Sequence, residues 1–407
     1  MTATSGQRRR VRPGAIAAAL AAIASSAALA ACGSVSSSSS SSSSSSAGNS
    51  TTASASAVSL ATSLSSATDS WAIVPMTANP TFWEVFVRPA TSATWQLVTP
   101  PGVADNGGLV AAAGNGRSLT VAVRPSQDLE FTPLAATADA GASWSAGGPL
   151  SAGLAASPGA LAVSGSQLAA LLGNGTIEAS SDAGSTWRTL AKPGTIAASA
   201  AGKHCGTVGV TSVSFGPLPT DVLAAGSCGT TGTAGFFEYT PGGGWQRLSL
   251  PVSGQLVRLG AGAALVRAEA GLTALWMKRL FGWYAYAPLA TPAPSSSAAW
   301  TASAPLPVTS AVIASGGLGG ATATSPGGLW VLLPGGQAAT IAGPGQPWLL
   351  LPPTPAHTSV LASGPGNSID ALAVSGATLT VWQLDRGSTI WTKAQTMNVP
   401  IQYGSSS

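Results

Sequence analysis

A chain of 407 residues is long enough for one large β domain or two ordinary domains with a sizeable core. Its composition, 45% hydrophobic and only 7% charged, would suit a membrane protein, yet no run of about 18 apolar residues follows residue 31, which excludes a spanning helix beyond that point. The formal charge of +4 is an N-terminal effect: of 17 Lys and Arg, four are Arg8, Arg9, Arg10 and Arg12, and the other 13 are balanced by 13 Asp and Glu, so bulk charge argues against nucleic-acid binding.

Residues 1–31 have a positive start ending at Arg12, an apolar stretch from Ala15 to Ala31, and small residues leading to Cys32. That is the make-up of a secretory signal peptide, too short and Ala-rich for a permanent anchor. The segment Leu29-Ala30-Ala31-Cys32-Gly33 resembles the lipobox of bacterial prolipoproteins, in which a large aliphatic residue and two small ones precede a Cys. The resemblance implies lipid on the Cys32 sulfur, cleavage after Ala31, and attachment to the extracytoplasmic face of the cell membrane. Two or three acyl chains give stable anchoring where one does not. An ordinary secreted protein with Cys32 near its cleavage site is the alternative. The Arg8 to Arg10 run leaves the twin-arginine export route open beside the general secretory one.

Residues 32–66 are nearly all Ser, Ala, Thr and Gly, with eleven serines from Ser36 to Ser46. Such a segment buries too little apolar surface to offset chain entropy, so it is expected to be a disordered tether. With ~35 residues its typical reach is about 30 to 35 Å, which would stand the folded part off a lipid surface. Its Ser and Thr would also suit O-glycosylation.

From Asp69 to Gln402 no long stretch has helical period and no capped helix is evident. Short Val, Leu, Ile, Ala and Thr runs recur between Gly, Pro, Asn and Asp turns, so residues 67–402 are expected to form an all-β domain, with a tail at 403–407. The clearest unit is a three-stranded meander. Its strands are Gln167 to Leu172, Thr176 to Ser180 and Thr186 to Leu190, joined by turns at Gly173-Asn174-Gly175 and Ser181 to Ser185.

The second of these turns lies in Ser180-Ser181-Asp182-Ala183-Gly184-Ser185-Thr186-Trp187, and Thr137-Ala138-Asp139-Ala140-Gly141-Ala142-Ser143-Trp144 repeats its form. Both resemble the Asp-box, or BNR repeat, of sialidase-like β-propellers. The resemblance implies turn chemistry. Asp139 and Asp182 accept backbone N–H bonds, Gly141 and Gly184 take positive φ, Thr137 and Ser180 add local hydrogen bonds, and Trp144 and Trp187 pack on the hairpin and the neighbouring blade. In that family the box lies at the outer end of a blade, away from the ligand channel, so it speaks for fold and not for activity.

Weaker echoes mark further units at Trp95, Trp245, Trp348 and Trp391, each closing a turn and opening a strand. Gaps of 49 (95 to 144), 43 (144 to 187), 58 (187 to 245) and 43 (348 to 391) fall in or near the propeller range. Two more units fit between Trp245 and Trp348, with Trp283 or Trp300 as markers. The expectation is a β-propeller of about seven blades, with six or eight also fitting. The first or last strand is expected to complete a blade begun at the other end of the chain, pairing Trp71 to Met76 with Trp391 to Ile401.

Cys205 and Cys228 are the only other cysteines, 23 residues apart (205 to 228), and in an oxidising compartment they are expected to form a disulfide tying strands of one blade. A metal site with His204 is the alternative, though two sulfurs and one imidazole without paired CxxC spacing make a poor zinc pattern. No metal or cofactor is expected.

The Asp-box resemblance points to the catalytic set of the sialidases, which this sequence does not match. Phe86-Val87-Arg88-Pro89 is the nearest stretch to an early Arg-bearing strand motif of that family, and its order is wrong. Glu238 and Tyr239, being adjacent, would face opposite sides of a strand. The 13 acids are scattered singly, and glycosidase chemistry needs two carboxyls about 5 to 10 Å apart. His204 and His357 are the only imidazoles, and Gly-rich runs such as Gly316 to Gly320 precede no helix, so they read as turns and not phosphate cradles. No catalytic residue is assigned. The reading is a lipid-anchored, non-enzymatic binding or scaffolding module facing an envelope protein or glycan. A divergent sialidase-like glycoside hydrolase and a sensor partner are the alternatives.

Overall fold

The computed structural model describes residues 62–65, 69–76, 83–100, 109–115, 117–123, 134–146, 158–215, 220–260, 263–277, 300–318 and 328–399. Cys32, the expected leader, most of the expected tether, Trp283 and the 403–407 tail lie outside them. Among the described residues the fold is seven antiparallel four-stranded sheets, a seven-bladed β-propeller.

Blade 1 comprises β1 (Thr62–Ser65), β2 (Ser70–Pro75), β3 (Trp83–Arg88) and β4 (Gln96–Leu97). Next come β5 (Leu109–Asn115), β6 (Ser118–Val123), β7 (Leu134–Thr137) and β8 (Ser145–Ala146) of blade 2, then β9 (Pro158–Ser164), β10 (Gln167–Leu172), β11 (Ile177–Ser180) and β12 (Arg188–Ala191) of blade 3. Two short helices, α1 (Thr195–Ala198) and α2 (Ala200–Cys205), lead into blade 4: β13 (Thr207–Phe215), β14 (Val222–Cys228), β15 (Thr233–Thr240) and β16 (Gly244–Leu248). Blade 5 holds β17 (Gln255–Gly260), β18 (Ala263–Ala268), β19 (Gly271–Met277) and β20 (Trp300–Ala302). Blade 6 holds β21 (Ala314–Leu318), β22 (Gly328–Leu333), β23 (Gln337–Ile341) and β24 (Leu349–Leu350). Blade 7 closes the ring with β25 (Thr358–Ser363), β26 (Ile369–Ser375), β27 (Thr378–Leu384) and β28 (Thr392–Asn398).

Middle strands read as unbroken apolar runs because neighbouring blades cover both their faces. Ser70–Pro75, Trp83–Arg88 and Gln167–Leu172 are buried almost throughout, while the outer strands Gln96–Leu97 and Leu349–Leu350 are exposed. The core is therefore a series of wedges between blades. The largest joins Trp71, Trp83, Phe86 and Trp95 of blade 1 to Leu119 and Val121 of blade 2, Trp330 of blade 6 and Leu361 and Leu372 of blade 7. First strands touch across the centre: β1 contacts β5, β21 and β25.

The meander expected at Gln167 to Leu190 is present as β10, β11 and β12. Its first turn is held by Gly175 at φ 86° and by Asn174 Oδ1 accepting from Thr176 N at 2.9 Å.

Four expectations are corrected. Trp300 opens the fourth strand of blade 5, so one unit, not two, lies between Trp245 and Trp348; the stretch 278–299 between β19 and β20 inflates the gap. The ends do not exchange strands among the described residues, since β2 pairs with β1 and β3, and β28 pairs with β27. The span 32–66 is not tether throughout, because Thr62–Ser65 hydrogen-bond along β2 in register Thr62↔Ile73 to Ser65↔Ser70; an inner strand pairs through its backbone and needs no apolar run. Finally, α2 is a capped helix. Ser199 Oγ accepts from Gly202 N at 3.0 Å and Gly206 ends it at φ 65°, but six residues are too few to show helical period.

Candidate functional site

The two repeated turns join the third strand of a blade to its fourth and share one hydrogen-bond plan. Asp139 Oδ1 accepts from Thr137 Oγ1 at 2.7 Å and Ser143 N at 2.9 Å, and Oδ2 accepts from Ser143 Oγ at 2.5 Å. Asp182 does the same with Ser180 Oγ at 2.7 Å, Thr186 N at 2.9 Å and Thr186 Oγ1 at 2.6 Å. These bonds, the bond from the Ser143 or Thr186 hydroxyl foremost, hold both carboxyls at about 2, below their ordinary 3.8. Gly141 and Gly184 adopt φ of 82° and 88°, each after an Ala that is itself left-handed. A Cβ on Gly141 would come within 2.5 Å of Val98 Cβ, so this turn packs directly on blade 1. Each carboxylate thus accepts three bonds from its own turn, two on Oδ1 and one on Oδ2, and serves to hold that turn.

The marker tryptophans form a circumferential device that the sequence shows only as spacing. On blade 2, Trp144 Nε1 donates to Val98 O, just past the outer strand of blade 1, at 2.9 Å. Trp348 of blade 6 donates to Ala304 O, past blade 5's outer strand, at 3.1 Å, and Trp391 of blade 7 to Pro352 O, past blade 6's, at 3.4 Å. Trp187 departs from the pattern by donating to Gly184 O of its own turn at 3.0 Å, while its ring packs among Leu134, Leu161 and Val163 between blades 2 and 3.

Between blades 7 and 1 the device becomes ionic. Trp95 Nε1 donates to Asp370 Oδ2 at 2.9 Å, and Arg88 Nε lies 3.6 Å from that oxygen. Arg88 Nη2 donates to Ser363 O at 2.6 Å, and Gln395 brackets the backbone of Trp95, accepting from its N at 2.8 Å and donating to its O at 2.9 Å. Burial outweighs pairing here: it pushes the Asp370 carboxyl up despite Trp95 and Arg88, and pulls Arg88 down despite Asp370 and Asp69. The one stretch resembling a catalytic Arg strand thus serves to close the ring.

Two other carboxyls are raised by burial. Glu84, on β3, accepts from Thr99 Oγ1, which partly opposes its shift. Glu238, on β15, is raised by burial and then by Asp221. Register explains that pairing, which spacing along the chain hides: Leu223 lies opposite Glu238, placing Asp221 diagonal to it on the same face. Tyr239 turns the other way and meets Trp245 with ring centroids 5.4 Å apart. Cys205 and Cys228 form a disulfide with Cα atoms 5.2 Å apart, joining the end of α2 to the end of β14; both sulfurs are thereby occupied, and His204 stands exposed beside them. Among the described residues no group of three metal-ligating side chains converges.

The outer rim of blades 6 and 7 is unlike the rest. Leu349, Leu350 and Ile390 are 62%, 66% and 70% exposed, the highest of any large hydrophobic side chains described. The stretch 280–369 contains no Asp, Glu, Lys or Arg, where the chain's 7% average would place about six. Composition alone carries that signal.

No family model matches the sequence, and no curated protein matches it. Among solved structures, the chain is similar to YCF48 bound to D1 peptide at 16% identity, covering 78% of this chain and 90% of that one with a TM-score of 0.44. It is similar to YCF48 from Cyanidioschyzon merolae at 14% identity, covering 82% and 97% with a TM-score of 0.48. It is similar to the GH74 xyloglucanase from Xanthomonas campestris at 14% identity, covering 79% and 51% with a TM-score of 0.49. Likeness this distant carries no argument about what the chain binds or acts on; the propeller assignment rests on the strand pairing.

Proposed function

We propose that this chain is an extracytoplasmic lipoprotein: residues 1–31 are a signal peptide, Cys32 carries the lipid, the Ser-rich segment after it is a spacer, and the propeller is a non-enzymatic binding or scaffolding module. We read the turns at Asp139 and Asp182 as Asp-boxes, a reading their shared hydrogen-bond plan supports. The partner is an envelope protein or glycan. One observation carries the non-enzymatic reading: Asp139, Asp182, Glu84 and Asp370 are all engaged in turns, a buried side-chain bond or the blade 7–1 seam, leaving little acid–base capacity free.

A glycoside hydrolase remains the second reading because Asp221 and Glu238 sit together on blade 4 and Glu238 is held above the ordinary carboxylate range. One experiment separates the two. The full lipidated chain and its Glu238→Gln variant are crosslinked in their native membrane and captured, and the same proteins are incubated with envelope polysaccharides. A defined partner captured equally by both, with no polysaccharide cleaved, is the expected result. Turnover by the parent that Glu238→Gln abolishes, with melting unchanged, would overturn it.

A further inference from the structure

In each sheet the first strand pairs with the second alone, so its other edge is turned to the centre of the ring. Six of these strands, β1, β5, β9, β13, β21 and β25, carry no charged residue, and β17 carries one, Arg258. Arg258 lies opposite Leu265, which packs in the wedge between blades 5 and 6 with Leu306 and Val331, so its side chain leaves the sheet toward blade 6. There Nη1 donates to Ser315 O on β21, which sets the guanidinium between two first strands. Gly317 stands two residues further along β21, on the same face as Ser315. A Cβ on it would meet no atom within 4 Å, so the seam is open there.

Nothing among the described residues neutralises this cation. Burial alone acts on it, drawing the guanidinium down to about 10 from 12.5, and no carboxylate raises it back as Asp370 does for Arg88. Blade 6 has no acid, and the single acid of blade 5, Glu269, is exposed in the turn between β18 and β19. Asp221 and Glu238 of blade 4 belong to the opposite side of the blade 5 sheet, the side on which Leu256 and Leu259 pack. The bond to Ser315 O is the one bond Arg258 makes among the described residues, and it uses one of a guanidinium's five N–H donors. Arg258 is half-buried, so solvent reaches the others. A strut to a carbonyl needs a donor and no charge, whereas a cation drawn partly out of water is stabilised by an anion.

We propose that Arg258 anchors a small-anion site at the inner end of the seam between blades 5 and 6, taking the phosphate or carboxylate group of a small molecule into the space beside Gly317. Arginine suits the task because its planar fork presents parallel N–H donors to an oxyanion. The inference deepens the binding-module reading and rests on it, and it needs no lipid anchor.

The test titrates the full chain with inorganic phosphate, glucuronate and glucose at an ionic strength held constant with chloride. Phosphate, glucuronate or both should bind saturably by calorimetry and raise the melting temperature, which tells a phosphoryl ligand from a carboxylate one, and neutral glucose should do neither. Arg258→Gln should weaken the binding about tenfold or more. Gly317→Val fills the open space while leaving Arg258 in place, and the backbone of Gly317 is not left-handed, so this variant carries the test if Arg258→Gln fails to fold; it too should weaken binding about tenfold or more. Arg267→Gln, in the same blade but with its guanidinium bonded to Val308 O at 3.2 Å and Ser310 O at 2.7 Å, should bind as the parent does. No saturable anion binding, binding that Arg258→Gln or Gly317→Val leaves unaltered, an equal loss in Arg267→Gln, or glucose bound as well as glucuronate would each overturn the proposal.

The site and the binding-module reading fail separately. If neither anion binds while crosslinking still captures a partner, the site falls and the module stands. If an anion binds through Arg258 while Glu238→Gln abolishes a polysaccharide turnover, the site stands and the non-enzymatic reading falls.

Discussion

Asp139 and Asp182 show how much of a fold one carboxylate can organise when its neighbours are chosen to donate. Each accepts two hydroxyl bonds and a backbone bond from residues two before and four after it, an arrangement legible in the sequence because it is local: donor, Asp, Gly and Trp recur at fixed offsets. Asp182→Ala should lower the melting temperature by a few degrees, and Asp139→Ala likewise, with nearly additive effects since the bonds to each carboxylate come from its own turn. The pH dependence has a definite sign. Both folded-state values are depressed to about 2 from 3.8, so the stabilisation is fully present above 3.8 and is lost as pH falls through about 2. Thermal melts from neutral pH down to about 2 should show the double variant converging on the parent; a constant gap would mean that the carboxylate charge contributes nothing.

At the scale of strands, the tryptophans at 95, 144, 187, 245, 300, 348 and 391 mark the outer strand of each blade, and their spacing was enough to suggest a propeller. It could not show why an indole is needed. The donor distances answer that for blades 2, 6 and 7, where the N–H reaches a carbonyl of the preceding blade and staples neighbours that share no strand. Blade 5 was illegible for a different reason: residues 278–299 separate its third and fourth strands and carry a competing Trp283. Trp→Phe removes the N–H together with part of the ring, so comparing two such variants whose indoles both pack on core wedges separates the interblade bond from the packing loss. Trp391→Phe should cost about 1 kcal/mol or more by denaturant unfolding, since Pro352 O loses its donor. Trp187→Phe breaks a bond inside its own turn, so the interface between blades 2 and 3 should hold. Equal loosening of both interfaces, read by hydrogen exchange, would remove the distinction.

A ring has to close, and among the described residues no strand passes from one end of the chain to the other to close this one. Closure falls to the buried cluster of Arg88, Trp95, Asp370 and Ser363, set within the largest apolar wedge of the molecule. Sequence could not reveal it, because Arg88 and Asp370 lie near opposite ends of the folded region and no motif links them. An ion pair this deeply buried is costly to form, and removing one partner leaves the other charge uncompensated. Asp370→Ala should therefore destabilise the protein by about 3 kcal/mol or more, while Arg88→Met combined with Asp370→Leu should recover much of that loss. The loss should also have a place. Without Asp370, amides of β2, β3 and β26 should exchange well before those of β14 and β15 on the far side of the ring, because blades 1 and 7 part first while the disulfide-braced blade 4 keeps its neighbours. Uniform loss of protection around all seven blades would instead mean that the apolar wedge alone closes the ring and the ion pair merely fills space within it.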